Sequence, residues 1–438
     1  MRITAPGPQE SVPLEDIDLF DPERYRSSSQ HTAWQTLRAR APMWEQTGPD
    51  GSRFWSVTRY DDVLRVIKDH RTFSSEHGTI LAVLGGDRAG GKTINLMDPP
   101  NHAAIRVPTM RLLSTSVMGG AEEKVRGRVR AIVERCLERD GADLAPLMQQ
   151  LPMAVVGDII GVPEELWADV ATWTMAGVAP EDPSYLSESE ETTLKTAHFE
   201  LFALFHDLVR ERRARPRNDV VSSLLTVGFE GRRLTLEEVV LNCYSFVMGA
   251  NTTTPHVASQ LVLALAEHPG AWEGLRQGTV SPSRAVEEGL RWATPTNHLV
   301  RRTTAPVRLA DTELDEGELV CAWVASANRD ERVFDRPYHF DPTRSPNPHI
   351  AFGNGIHYCN GAPGARLVIR LFLEELTAAA EGIEVAGPVG HLYSNFINGV
   401  TALPVRVRPA PKAPGRKPVP VPEPQGTGCP VTGEGARR

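Results

Sequence analysis

Ala351 to Arg366 reads AFGNGIHYCNGAPGAR, and the chain is read outward from Cys359 within it. Gly353, Gly355 and Gly361 suit a loop with positive φ and let a flat ligand approach the backbone closely. Phe352 supplies an apolar ring face. Beyond Cys359, the residues Leu367, Val368, Leu371, Phe372 and Leu376 recur at helical spacing. Pro363 suits the first turn of that helix, where its missing N–H costs nothing. A thiolate beside a helix start meets free N–H groups and the positive end of a dipole, which favour S⁻ over SH. An arbitrary cysteine is most often a small buried apolar residue. This one stands in Phe-Gly-x-Gly-x-His-x-Cys-x-Gly, a soft ligand framed by glycines.

That motif resembles the ligand loop of the cytochrome P-450 family, the haem-thiolate monooxygenases, and other features of the family occur in order from about residue 15 to 407. The resemblance implies a mainly α fold with small β-sheets, one large triangular-prism-like domain with a long central helix over the haem. It implies haem b (iron protoporphyrin IX), Cys359 as proximal iron ligand, and Phe352, His357 and Gly361 as cofactor neighbours. The chain departs from the family at Gly364, where a leucine is usual before Ala365-Arg366.

The composition fits a large globular protein. Of 438 residues 41% are hydrophobic, enough for a sizeable core, and no internal linker or repeat is evident. Net charge is −8 with no basic run before the tail, which argues against nucleic acid. Five cysteines at 136, 243, 321, 359 and 429 have no disulfide-like spacing and point to a reducing compartment. The N-terminal MRITAPGPQESVPLEDIDLF lacks an apolar core for a signal or anchor, so the expectation is a soluble, cytoplasmic monomer. The expected organisation is an N-terminal segment 1–14, a haem-thiolate monooxygenase domain 15–407, and a disordered Pro/Gly-rich tail 408–438 holding Cys429.

Along the chain, Phe54–Thr58 reads as a strand, and Asp61 opens an amphipathic helix. Gly86 to Thr93 (GDRAGGKT) fits the phosphate-loop pattern and leaves open a nucleotide-binding alternative. A true phosphate loop runs straight into a helix, and Pro99-Pro100 follow too soon. Asp98-Pro99-Pro100-Asn101-His102 then starts a helix with His102 and Arg106 on one face, a spacing common on solvated faces. The resemblance makes these two residues haem-propionate partners, held by charge-assisted hydrogen bonds. Helices are expected over 121–139 and 151–162, and a helix pair over 168–216 around a Pro-containing loop.

Thr235 and Glu238 form a capping-box signature, and His268-Pro269-Gly270 is a stop. The roughly 32 residues between them would span on the order of 48 Å. Pro255 predicts a kink in that helix, with Thr252, Thr253 and Thr254 available to bond the freed carbonyls. The family places Gly-x-acid-Thr here, read in this chain as Gly249-Ala250-Asn251-Thr252. By resemblance Gly249 leaves room for dioxygen while Asn251 and Thr252 organise water; an amide orients water but cannot relay a proton by ionising.

Glu288 and Arg291 stand three apart among apolar neighbours, a structural pair in the family, with Arg344 as a third member. By position in the family, Arg302 meets a propionate, and Leu96, Met248, Thr296, Asn297, His298 and Phe396 line the substrate pocket. The expected function is oxidation of a small to medium organic substrate (hydroxylation, epoxidation, ring closure or coupling), free or carrier-bound, in secondary metabolism. Electrons would come from a separate ferredoxin and ferredoxin reductase, because the chain holds no flavin or nicotinamide segment. A haem-thiolate sensor without turnover is the other reading.

Overall fold

The computed structural model describes residues 10–138, 141–229 and 231–411, with Ile3, Pro6 and Gly7. Nine helices position the site: α1 (Asn101–Leu112), α2 (Thr115–Leu137), α3 (Leu151–Ile160), α4 (Trp167–Val178), α5 (Glu190–Ala214), α6 (Leu236–Asn251), α7 (Thr254–Glu267), α8 (Pro282–Ala293) and α9 (Ala362–Ala379). Their apolar faces share one core, which includes Val129, Leu151, Val247, Leu261, Leu290 and Leu371. LPMAVVGDII in α3 is buried on nearly every side, and the helix ends where Gly161 takes φ 96°. The helix after Cys359 forms as its spacing predicts and packs along α2.

A five-stranded sheet lies beside the helices. Its strands are β1 (Met43–Thr47), β2 (Arg53–Val57), β3 (Phe73–Ser74), β4 (Leu299–Thr303) and β5 (Leu319–Ala322), in the order β1-β2-β5-β4-β3. Only β2–β5 is a parallel pair in it; β5 opposes β4 with Val320 facing Arg301. The fold is mainly helical with small sheets, as expected. No helix among the described residues is long and apolar enough to cross a membrane.

The single long helix of the sequence reading is two helices. The capping box at Thr235 and Glu238 forms. The first helix then stops at Asn251, and Thr253 leaves helical geometry with φ −123° and ψ −53°. Pro255, in the first turn of α7, has no N–H to give to Asn251. Two threonine hydroxyls bond the carbonyls one turn back: Thr252 Oγ1 donates to Met248 O and Thr253 Oγ1 to Gly249 O, both at 2.9 Å.

The phosphate-loop alternative is corrected. Thr93 is followed by a three-residue 3₁₀ turn, Ile94–Leu96, with no helix N-terminus to hold an anion. Lys92 pairs with Glu237 at 2.9 Å, and Asn242 bonds Lys92 O and Ile94 N. The tail expectation is shifted, because Pro404–Pro409 forms a strand; residues 412–438, with Cys429, lie outside the described residues.

Glu288 and Arg291 are fully buried and meet through two hydrogen bonds of 2.8 and 2.7 Å. Arg344 Nε adds a third cation contact at 3.2 Å, and Asp341 N donates to the same carboxylate at 3.0 Å. Removing one partner of a buried pair leaves the other charged and unpaired. Glu288→Ala should therefore cost about 3–5 kcal/mol of unfolding free energy. Urea titration checks this; a loss under about 1 kcal/mol, the size of a surface pair, would sink the account.

Candidate active site

Cys359 sits at the end of a loop pressed against the helix Tyr60–Lys68. Gly353 and Gly355 take φ 70° and 69°, and a Cβ on Gly355 would stand 3.0 Å from Lys68 O. Cys359 N donates to Phe352 O at 3.0 Å and closes the loop. Gly361 departs from expectation, with φ −81°. A Cβ there would lie 3.7 Å from Cys359 Sγ, so this glycine keeps bulk away from the sulfur. Burial pushes the Cys359 thiol up, opposed by the Gly361 and Ala362 N–H groups and the charges of Arg106 and Arg366. Arg366 lies 4.5 Å over the Phe352 ring and pairs with Glu287 at 2.7 Å.

The sulfur opens onto a cavity of ≈ 340 Å³. His102, Arg106, Arg301 and His357 gather on it. His102 is buried and its Nε2 has no partner. Burial and the adjacent His357 and Arg106 lower its pKa to about 3. The His102 and His357 rings stand 4.6 Å apart, and His357 Nε2 is 3.1 Å from Ser75 Oγ and 3.7 Å from Asp98 Oδ1. Arg106 Nη2 donates to Tyr358 O at 2.6 Å.

Arg302 does not join this cluster. It points outward from β4 and bonds Gly317 O at 3.0 Å, while its neighbour Arg301 is buried on the cavity. Successive strand residues face opposite sides, so a one-residue shift exchanges the two arginines. Arg301 Nη1 reaches Val300 O at 2.8 Å, and burial lowers its pKa to about 10.

The helix over the cavity also corrects the sequence register by one residue. Ser245 and Phe246, Gly249 and Ala250, Thr253 and Thr254 line the space, each pair one turn after the last. Asn251 and Thr252 do not line it. Asn251 is fully buried with both amide atoms unpartnered, and Thr252 turns its hydroxyl to Met248 O. Of the neighbours Thr252 and Thr253, it is Thr253 that lines the cavity.

Of the pocket residues expected from sequence, Thr296 lines the cavity. Leu96 is buried elsewhere, and its neighbours Ile94 and Asn95 take the lining position. Met248 points at α4, its Cε 3.3 Å from where a Cβ on Gly177 would stand. Asn297 and His298 serve the framework: Asn297 Nδ2 donates to Asn395 O at 3.1 Å, and His298 Nε2 accepts from Leu81 N at 3.1 Å. Burial lowers His298 to about 3, matching this neutral ring. Phe396 packs on it with ring centres 5.4 Å apart. Sequence reasoning missed Thr253, Arg301, Asn95, Ser245 and Phe246; counting in threes and fours from Gly249 finds the helical ones.

The family described as Cytochrome P450 matches residues 283–377. Cytochrome P450 NovI of Streptomyces niveus is 32% identical over 90% of this chain and 97% of its own length. Linalool 8-monooxygenase of Pseudomonas putida is 30% identical, covering 90% and 100%. The crystal structure of P450 OxyD, involved in the biosynthesis of vancomycin-type antibiotics, superposes with TM-score 0.82 at 32% identity, covering 90% of this chain and 100% of that one. This chain belongs to the cytochrome P450 family. It is an oxidoreductase of the monooxygenase class, and its cofactor is haem b with a thiolate on the iron.

The residues fit that cofactor. A cavity with one cysteine sulfur, an unpartnered buried imidazole nitrogen and two arginines suits a flat apolar group carrying two carboxylates. Arg301→Ala should lower haem retention through gel filtration several-fold, whereas Arg302→Ala should leave the haem-to-protein absorbance ratio unchanged. The reverse pattern would restore the register read from sequence.

Proposed function

We propose that the protein tailors an apolar secondary metabolite, free or carrier-bound, with electrons supplied by a separate ferredoxin and ferredoxin reductase. The observation that carries this reading is that Cys359 Sγ and the Thr253 hydroxyl line one cavity whose remaining wall is largely apolar. Ile94, Phe246, Leu299 and Val324 contribute to that wall. Polar side chains in the turn beside Phe396 bond the backbone: Asn395 Nδ2 donates to Phe20 O at 2.7 Å, and Asn398 Nδ2 to Ala293 O at 2.6 Å. The site therefore favours an apolar skeleton with few polar groups. NovI and OxyD support placing the reaction in secondary metabolism.

Each residue then has a task. Cys359 would ligate the iron, and His102, Arg106 and Arg301 would hold the propionates. Bound haem supplies activation of dioxygen, for which a thiolate ligand favours O–O cleavage. Gly249 and Ala250 keep the helix wall of the cavity low and would leave room for dioxygen. Thr253 Oγ1 gives its proton to Gly249 O, which fixes the oxygen and leaves its lone pairs to accept from and orient water. No Asp or Glu lines the cavity among the described residues, so water carried by Thr253 and Thr254 brings protons in.

Thr253→Ala should divert electrons from product to peroxide, lowering product per electron by roughly an order of magnitude, short of the usual general-acid contribution. Thr252→Ala should stay near wild type. Equal losses in both would end the assignment. Substrate class is tested by spin-state shifts against terpenoids, polyketides, peptides and carrier-bound acyl groups. Response confined to strongly charged compounds would overturn the apolar reading.

A further inference from the structure

Two polar side chains meet on the largely apolar wall of the cavity. Ser245 of α6 and Asn95 of the 3₁₀ turn Ile94–Leu96 both line it, and Ser245 Oγ donates to Asn95 Oδ1 at 2.8 Å. Ser245 stands one turn before Gly249 on that wall, about 6 Å along the helix. The turn carrying Asn95 is pinned from behind by Asn242, which is fully buried. Ile94 N donates to Asn242 Oδ1 at 2.9 Å, and Asn242 Nδ2 donates to Lys92 O at 2.8 Å and Glu238 O at 2.7 Å. The backbone on either side of Thr93 is thus tied to α6, and Asn95 is held against Ser245.

This contact decides what the pair offers a ligand. Ser245 spends its only hydroxyl proton on Asn95 Oδ1, which fixes the orientation of the amide. Nδ2, on the same amide carbon, has no partner among the described residues. The pair therefore presents an uncharged N–H donor, and no Asp or Glu lines the described cavity to accept it. An apolar group packed there would leave the donor stripped of water and unpaired, whereas an oxygen acceptor would satisfy it. We infer that Asn95, oriented by Ser245, determines specificity by donating Nδ2–H to a neutral carbonyl oxygen, ketone or ester, on an otherwise apolar substrate. The inference rests on the reading of this cavity as a pocket for an apolar substrate and names the one polar group that substrate carries. Asn95 touches the substrate; Ser245 acts through it and is a positioning residue.

The test is a difference-spectral titration of the haem-loaded full chain with pairs that share a carbon skeleton: cyclododecanone with cyclododecane, and progesterone with pregnane. Wild type should bind each ketone roughly tenfold tighter than its hydrocarbon, the worth of one hydrogen bond. Asn95→Leu should erase that ratio. Asn95→Asp, a carboxylate of similar size without the donor, should erase it too and serves if the leucine variant fails to load haem. Ser245→Ala should lower the ratio, and Ser245→Thr, which keeps the hydroxyl, should restore it. The thiolate-type Soret band of the reduced carbon monoxide complex reports that each variant is loaded. A wild-type ratio within twofold of one, or a ratio that survives both Asn95 variants, would overturn this inference and leave the apolar reading standing. A wild type that binds no member of either pair would overturn both.

Discussion

A carboxylate with no access to water organises the proximal half of this fold. Glu288 is buried completely, so its charge is tolerable only because donors surround it. Arg291 and Arg344 supply cations, while Asp341 N and Asn347 Nδ2 supply neutral donors. Arg291 extends the network to the carbonyls of Asn328 and Pro337. Asn328 in turn bonds Thr294 Oγ1 through Nδ2 and Ile350 N through Oδ1, both at 2.9 Å. One buried ion cluster thus fixes the end of α8, the turn after β5 and the entry to the cysteine loop. The sulfur inherits its position from this chain of bonds.

The opposite face depends on a backbone that gives way in one place. Pro255 cannot continue the ladder, and the threonines before it absorb the freed carbonyls. The family motif pointed to Asn251 and Thr252; the lining runs at four-residue spacing from Ser245 through Gly249, so the folded chain presents Thr253 and keeps the Asn251 amide off the cavity. The unpartnered Asn251 amide is costly, and its conformation is held by the surrounding apolar packing.

Charge is divided sharply within the cavity. Cations and imidazoles gather where carboxylates of a cofactor would lie, while no acid lines the described wall. Asp98 stands just behind, holding Ser74 at 2.6 Å and approaching His357. The framework uses nearby polar side chains to bond backbone, which leaves the substrate side mostly apolar.

Much of this was legible in the sequence. The glycine-framed cysteine, the helical spacing after it, the Glu288–Arg291 interval and the capping box at Thr235 are local patterns, and local sterics and hydrogen bonding enforce them wherever they occur. Residues chosen between neighbours were not legible. Arg301 rather than Arg302 depends on which face of β4 meets the cavity, and Thr253 rather than Thr252 depends on which face of the helix over it does. His298 and Asn297 read as pocket residues until the turn at Asn395, distant in sequence, took their hydrogen bonds. Sequence by itself determined the helical frame, which follows from short-range spacing, and pointed to the family and its cofactor through the resemblance of the motif around Cys359. Tertiary structure alone decided which of two adjacent side chains faces the cavity, because strand pairing and helix packing are set by long-range contacts.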